Sequence, residues 1–474
     1  MSNSTFLLGA VLGAMHGNHP GAWRMPSADP DAYTDTTSIV RAAQSAERGG
    51  LDYIFLPDRV FIWGDLESGP PIVTMEPTLT LAAIAPATRR IGLVTTLSTS
   101  FVEPYTIARQ VRALDVMSHG RAGWQAIPSY EPDAFANYGL PVPAREEKYQ
   151  RFNEAVQITQ ALWGSWGREA GTPDKATGRF ADTSQIRPVN LQGRHVAARG
   201  PLQIPPSEQG QPVIFMPFAS GLGVQAAAKY ANGIIAHSTS MEQAKAQREM
   251  MRSMTVEAGR DADEVKFLSF FAITVGATLE EAVRRRMVLE EAAGIEGRLA
   301  QLSAVLGVRL DPADRDKRLT TTQTLGLRPH PGVAQAAYAI ELAQQGRTPH
   351  EILGHGVLDQ APSMVGTAEQ IADTLQEWVQ TGAADGFTVT IDDLHDGMDA
   401  FVDQVVPVLR RRGLRPDGGA GEARRVRGVG GRRRRGGPPR GASAVVRSPL
   451  VTQPHFITAS PDASCVRPSS TASE

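Results

Sequence analysis

Four short stretches of this 474-residue chain bring together side chains that could do chemistry, each close behind an apolar run. GNHPGAWR (17–24) follows the run from Phe6 to Met15 and offers His16, His19, Trp23 and Arg24. A histidine in a Gly/Pro loop is either simply solvated or, titrating near neutrality, able to relay a proton. AERGGLDYIFLPD (46–58) delivers Asp58, which either caps the next helix or accepts a hydrogen bond from a heterocycle's ring N–H. TRRIGLVTTLSTSFVEPY (88–105) ends in Thr95, Thr96, Ser98, Thr99 and Ser100, a density of hydroxyls that polar ligand contacts explain better than strand propensity does. In MPFASGLGVQAAAKYA (216–231), GLGVQA (221–226) matches the GxGxxG/A pattern and Ser220 adds a hydroxyl. Glycines there let a phosphate approach the backbone, and the free N–H groups of the following helix can receive it.

Other chemistries are excluded or weakened by spacing. The GLGVQA match falls mid-chain and not at the first turn of a sheet of its own, and Glu242 does not close a strand as a ribose-binding acid should. The motif therefore reads as a phosphate site, and a nicotinamide dehydrogenase would rest on it alone. HEILGH (350–355) spaces its histidines i, i+5, about 140° apart around a helix, so they do not share a metal. No GxSxG elbow and no Walker loop is present, and we expect no bound metal.

These residues need a scaffold that gathers strand ends. Short apolar runs alternate with helical patterns, which predicts a parallel sheet with crossover helices. Strands are expected at 6–12, 53–57, 90–97, 121–127, 212–218, 233–237, 266–275 and 386–391, with helices at 35–49, 104–117, 146–163, 222–231, 280–287 and 366–382. Eight strands suit a closed (β/α)₈ barrel, whose catalytic face is the C-terminal rim. In the last helix Ile371, Leu375 and Trp378 share one face and Gly382 supplies the stop. Residues 164–211 and 293–362 break the rhythm and read as insertions: lids, dimer contacts or, for 164–211, loose surface loops.

Hydrophobic residues make up 41% and charged residues 21%, enough apolar content for a large core. The net charge of −2 is uneven: residues 413–474 carry eleven Arg, no Lys and four acids, leaving the rest of the chain at −9, a poor nucleic-acid binder. Residues 415–474 are Arg/Gly/Pro/Ser-rich and are expected to be a disordered tail after a barrel domain of residues 1–414. A solvated tail, an out-of-frame read of GC-rich DNA and a nucleic-acid arm all fit that composition, the last least well. The single cysteine, Cys465, allows no intrachain disulfide, and a reducing cytoplasm is the natural compartment. No apolar run reaches the ~18 residues of a membrane span, and the run from Phe6 to Met15 reads as a strand and not as a signal peptide.

Taken together, GNHPGAWR, AERGGLDYIFLPD, TLST, EPYTIARQVRALDVMSHGRAGW (103–124), REEKYQR (145–151), GPLQIPPSEQGQPVI (200–214), FASGLG and GAADGF (382–387) resemble, in order across residues 6–414, the nitrilotriacetate/dibenzothiophene-sulfone monooxygenase branch of the luciferase-like flavoenzymes. The resemblance implies an α/β fold, a (β/α)₈ TIM barrel of the bacterial-luciferase-like type with insertions. It also implies a two-component monooxygenase that takes reduced FMN from a separate NAD(P)H:flavin reductase and uses O₂ through a flavin 4a-hydroperoxide, and a homo-oligomer, dimer or tetramer. Asp58, Thr96, Ser98, Tyr149 and Ser220 match the family's FMN-binding positions, and His19 matches an active-site histidine. The chain departs from the family at Arg145, where His is usual, at QAIPS (125–129), where Asn-x-x-Thr-Ser is usual, and at MPF (216–218), where Gln-Ala-Gly is usual. Arg145 can offset the change at Pro128 by pairing with the phosphate. A deazaflavin-dependent oxidoreductase on the same barrel and a catalytically inactive flavin-binding homologue are the competing readings.

The segment FIWGDLESGPPIVTMEP (61–77) follows Asp58 and should overhang the mouth, with Phe61, Trp63, Ile72, Val73 and Met75 as an apolar lining. Such a wall favours a bulky, largely apolar or heteroatom-containing substrate over an aminopolycarboxylate. The tail's composition yields a first prediction: deletion of residues 416–474 leaves the melting temperature unchanged, and a fall of several degrees in a thermal melt would show that it docks.

Overall fold

The computed structural model describes residues 5–416 apart from 74, 331, 332, 334 and 360. The tail beyond residue 416, with Cys465, lies outside the described residues.

Eleven strands follow one another: β1 (Leu7–Val11), β2 (Tyr53–Leu56), β3 (Gly92–Ser98), β4 (Ala122–Ile127), β5 (Leu191–Gln192), β6 (Ala197–Ala198), β7 (Val213–Pro217), β8 (Gly233–Ala236), β9 (Lys266–Val275), β10 (Ser363–Gly366) and β11 (Gly386–Ile391). Eight of them close a parallel ring in the order β1, β2, β3, β4, β7, β8, β9, β11, with β11 pairing back onto β1. All eight are the strands predicted from the apolar runs. β9 is the long member: it pairs with β8 through Ser269, and past that point the same edge takes β10 from Ala272 to Val275.

Because the ring is covered by helices outside and packed inside, its strands are buried on both faces and read as near-continuous apolar runs. Inward positions of alternate residues (Tyr53, Phe55, Val94, Val213, Phe215, Ile235 and Leu268) fill the barrel. Gly9 makes this packing possible: a Cβ there would lie 2.1 Å from the Tyr53 ring, whose hydroxyl crosses to hydrogen-bond Thr388. Outward positions such as Leu8, Ile54, Leu93, Trp124, Ile214 and Val389 meet the helical layer in the main core.

The crossover helices follow the predicted pattern. Helix Pro104–Met117 matches its expected bounds, and Arg145–Trp163, Thr36–Arg48, Leu222–Tyr230 and Ala368–Gln380 differ by one or two residues at their ends. The last is opened by a capping box between Thr367 and Gln370, and its buried Trp378 meets the Phe271 ring edge-on at 4.8 Å. The helix expected at 280–287 runs from Leu279 to Ala292.

Neither insertion is loose. In 164–211, the β5–β6 ribbon and its flanks are pinned to helix Pro104–Met117 by the buried Arg112–Asp115 pair. Arg112 donates to the carbonyls of Gly210 and Trp163, and Ser207 and Gln209 donate to Asp115. The second insertion, 293–362, folds into short helices around a cluster of its own that includes Leu299, Leu302, Leu306, Leu342 and Leu353. No helix among the described residues is long and apolar enough to cross a membrane.

One residue assigned by composition to the tail belongs to the body. Arg415 is buried, donating to Asp52 Oδ2 at 2.6 Å and to the carbonyls of Phe6 and Gly50. Asp52 in turn accepts from the Leu8 N–H at 2.8 Å, so the pair staples β1, the turn before β2 and the chain just past the C-terminal helix Val406–Arg411 together. Removing the cation strands a buried carboxylate, a loss of about 3 kcal/mol. Arg415→Met should therefore lower the free energy of unfolding by about that amount in urea titrations. A chain ending at residue 416 should keep full stability. Equal stability of the Arg415→Met and parent proteins would refute the staple.

Candidate active site

Parallel strands deliver all their C-terminal ends to one rim, and a cavity opens there between the ends of β2, β3 and β4. It is lined by Asp58, Arg59, Val60, Phe61, Ser98, Ile127, Ser129, Glu131 and Ala134. Asp58 is partly buried, and burial together with the charge of Glu76 pushes its carboxyl up to about 6. The hydroxyl cluster of β3 divides in two. Thr95 hydrogen-bonds Thr78 of the neighbouring helix, Thr96 donates to the Leu56 carbonyl at 2.9 Å, and Thr99 donates to the Ile127 carbonyl. Those three tie strands and loops together. Ser98 lines the cavity, accepting from Ser129 Oγ at 2.9 Å and from the Ser100 N–H.

A second polar corner forms at the end of β7. Arg145 and Tyr149, one turn apart on helix Arg145–Trp163, both reach the loop that opens helix Leu222–Tyr230. Arg145 Nη2 donates to the Ser220 carbonyl at 2.8 Å. Tyr149 lies so close over Gly223 that a Cβ there would be 2.8 Å from its hydroxyl. Gly221 caps that helix with φ 58, a backbone region that glycine reaches without strain. A cation, a phenol and a helix N-terminus at one point have the chemistry to receive an anion. Lys148 links the two corners: its ammonium lies 6.0 Å from the Tyr149 ring and 5.7 Å from that of Tyr130, the neighbour of Ser129.

Thus Asp58 and Ser98 come together in one corner, and Arg145, Tyr149 and Ser220 in the other. Thr96 lies on the inner face of the barrel between them, beside Gln125 in the strand register. Glu242 falls in the first turn of helix Met241–Glu257, well past the end of β8, and cannot serve as a ribose acid. His350 and His355 turn to different partners, Asp316 and Tyr338.

A family profile described as Luciferase-like monooxygenase matches residues 12–385. The chain belongs to that family. It is 34% identical to N-acetyl-S-(2-succino)cysteine monooxygenase of Bacillus subtilis (strain 168), over 86% of this chain and 92% of the relative. It is 32% identical to nitrilotriacetate monooxygenase component A of Aminobacter aminovorans, over 84% of this chain and 90% of the relative. Among solved structures, the EDTA monooxygenase EmoA from Chelativorans sp. BNC1 superposes with a TM-score of 0.74 at 27% identity, covering 90% of this chain and 98% of that one. The protein is a flavin-dependent monooxygenase.

For a luciferase-like monooxygenase the two corners suit a phosphorylated heterocycle. Between them Gln125 is buried and, among the described residues, its Oε1 has no hydrogen-bond partner. An orphaned buried acceptor on the inner face is costly unless a ligand donor meets it, and this is an observation the flavin's ring system would satisfy.

His19 is not brought to the cavity. Its side chain is wholly enclosed, with Nδ1 accepting from the Gly21 N–H and Nε2 3.1 Å from Glu290 Oε1 but poorly aligned as a hydrogen bond. Burial, and then the Arg286 charge, lower its pKa. Burial alone would raise Glu290; contacts with His19 and Arg298 reverse this and hold it well below the usual carboxylate range. Arg286 bonds both Glu290 and Asp359, so one buried ionic cluster joins the N-terminal loop, helix Leu279–Ala292 and the second insertion. The i, i+4 spacing of Arg286 and Glu290 was visible in sequence; that His19 docks on the pair was not. Nor were Arg59, Ser129 and Glu131 singled out as lining, although Arg59 directly follows Asp58 and Ser129 belongs to a segment that departs from the family.

The cluster generates a prediction. Glu290→Gln leaves two buried guanidinium groups short of a partner and should cost about 3 kcal/mol of unfolding free energy; a loss under about 0.5 kcal/mol would show the cluster to be idle. Because His19 is held neutral in the fold, the unfolded chain binds a proton more readily. Stability should therefore fall as pH drops below the ordinary histidine value of 6.5.

Proposed function

We propose that this monooxygenase is the oxygenase component of a two-component system. It takes reduced FMN from a separate NAD(P)H:flavin reductase and uses O₂ to oxygenate a bulky apolar or heteroatom-containing organic substrate. The observation that carries the reading is the pairing of an anion corner (Arg145, Tyr149, Ser220) with a polar-and-apolar cavity around Asp58 on one barrel rim. A relative bearing the words "component A" in its name supports the separate reductase. Bound reduced flavin supplies the electrons with which O₂ is split between substrate and water.

The chain's own part is to bind, orient and enclose. Arg145 and the N-terminus of helix Leu222–Tyr230 hold the phosphate, with the Ser220 hydroxyl and Tyr149 beside them. Asp58 accepts from a ring N–H, Ser98 and Gln125 supply polar contacts along the ring, and Thr96, whose proton goes to the Leu56 carbonyl, backs Gln125 from β3. Val60, Phe61, Ile127 and Ala134 give the substrate an apolar wall. That wall is narrower than the sequence of the 61–77 segment suggests: Ile62, Leu66 and Ile72 are exposed, and Met75 packs on the main core. In this arrangement His19 acts at a distance, fixing the loop 17–24 against helix Leu279–Ala292.

Calorimetric titration tests the reading. The protein should bind FMN more tightly than riboflavin, and Arg145→Ala should weaken FMN about tenfold while sparing riboflavin, the loss expected for one charge-assisted phosphate contact. Asp58 accepts a hydrogen bond best when ionised, so the affinity for riboflavin, which has no phosphate to titrate, should rise as pH increases through about 6 and become flat in Asp58→Asn. Oxidation of NADPH by the protein without added flavin or reductase would overturn the proposal.

A further inference from the structure

The half-buried guanidinium of Arg59 is unlike the protein's structural arginines. Arg121 spends its donors on Ser118, Thr88, Ile91 and Ala85, and Arg112, Arg286 and Arg415 each meet a buried carboxylate. Arg59 lines the cavity at the barrel mouth and has no hydrogen bond or ion pair from its side chain to any described residue. What holds it is aromatic: its guanidinium carbon lies 3.7 Å from the centre of the Trp63 ring and 5.9 Å from that of Phe61. Stacking of this kind uses the guanidinium's face and leaves its N–H edge, five donors in a planar fork, for another acceptor.

We propose that Arg59 anchors a carboxylate of the substrate, which is thus an organic acid whose apolar remainder lies against Phe61, Ile127 and Ala134. The inference rests on the oxygenase reading above and narrows its substrate class. Carboxylate geometry matches the fork in a bidentate pair. Asp58 and Glu131 line the same space, so a dianion such as a phosphate monoester would meet one guanidinium and two acids and is disfavoured, whereas a carboxylate brings half that charge and needs only the fork's N–H edge. The flavin phosphate has its own cation, Arg145, in the other corner. The expected apolar lining is thereby reassigned: Trp63 and Phe61 serve as the platform that fixes the cation as well as a wall.

Two probes differing only in the acid test this: benzylthioacetate and its methyl ester, titrated by calorimetry into the FMN-loaded protein. The acid should bind the parent at least about tenfold more tightly than the ester, the usual range for one charge-assisted pair. Arg59→Gln should erase the preference while leaving the affinities for the ester and for FMN unchanged, and Arg59→Lys should restore part of it. Arg59 is held by no hydrogen bond, so both variants should melt with the parent, and Trp63 emission should shift when the acid binds. No preference for the acid in the parent, or a preference that survives in Arg59→Gln, overturns the proposal. The oxygenase reading fails separately: loss of FMN binding selectivity with the acid preference intact would remove the proposed function and leave the carboxylate site standing.

Discussion

Closure of the parallel ring at β8 and β9 is the constraint on which the rest of the structure depends. A parallel strand with a free edge leaves a row of backbone donors and acceptors unpaired, and pairing Gly233–Ala236 with Lys266–Ser269 removes the last such edge from the barrel. Once the ring is closed, every strand must end on the same rim. Asp58, Ser98, Ser129 and the Ser220 loop then converge although they are separated by long stretches of chain. The length of β9 follows from the same constraint. It pairs with β8 and β11 in the barrel and then supports β10, which returns the chain from the second insertion to helix Ala368–Gln380.

The insertions are fastened to the barrel by buried charge, the first at the start of β4 and the second beside the rim. Arg112 and Asp115 hold the first; Arg286, Arg298, Glu290, Asp359 and His19 hold the second. Buried ion pairs contribute little net stability compared with apolar packing, but breaking one partner is expensive, which makes them good fasteners for a specific arrangement. Placing His19 in such a fastener converts a histidine of the mouth loop into a positional element. It couples the loop 17–24 to the helical insertion and, through the Asn18 and His19 N–H groups, to the carbonyls of Ile391 and Asp392 at the end of β11.

On the proposed reading, the two polar corners at the mouth divide the work of recognition. The anion corner uses a helix terminus and an arginine that lies close to solvent. The cavity corner uses a partly buried acid, two serines and an arginine held by aromatic rings. A shared barrel with variable lining is how this architecture supports relatives whose names point to substrates as unlike as a thioether acid and an aminopolycarboxylate.

The barrel was legible in the sequence because its determinants are local. Strands buried on both faces read as short apolar runs, and glycines, prolines and caps mark where each helix begins and stops, so β9, β11 and helix Pro104–Met117 match their expected bounds. Helix Leu279–Ala292 was read too short because its last turns carry Glu290, a charge that a periodicity argument assigns to solvent and the fold buries. The same kind of reason accounts for the site. Residue type and strand-end position picked out Asp58, Ser98 and Ser220. Only tertiary packing could decide that Thr95, Thr96 and Thr99 spend their hydroxyls on the scaffold, that Arg415 belongs to the core, that His19 faces a glutamate 271 positions away, and that Arg59 is left with its donors free. Each of these depends on which partner, far along the chain, arrives within hydrogen-bonding distance, and that information is carried by the closed ring and not by any local pattern.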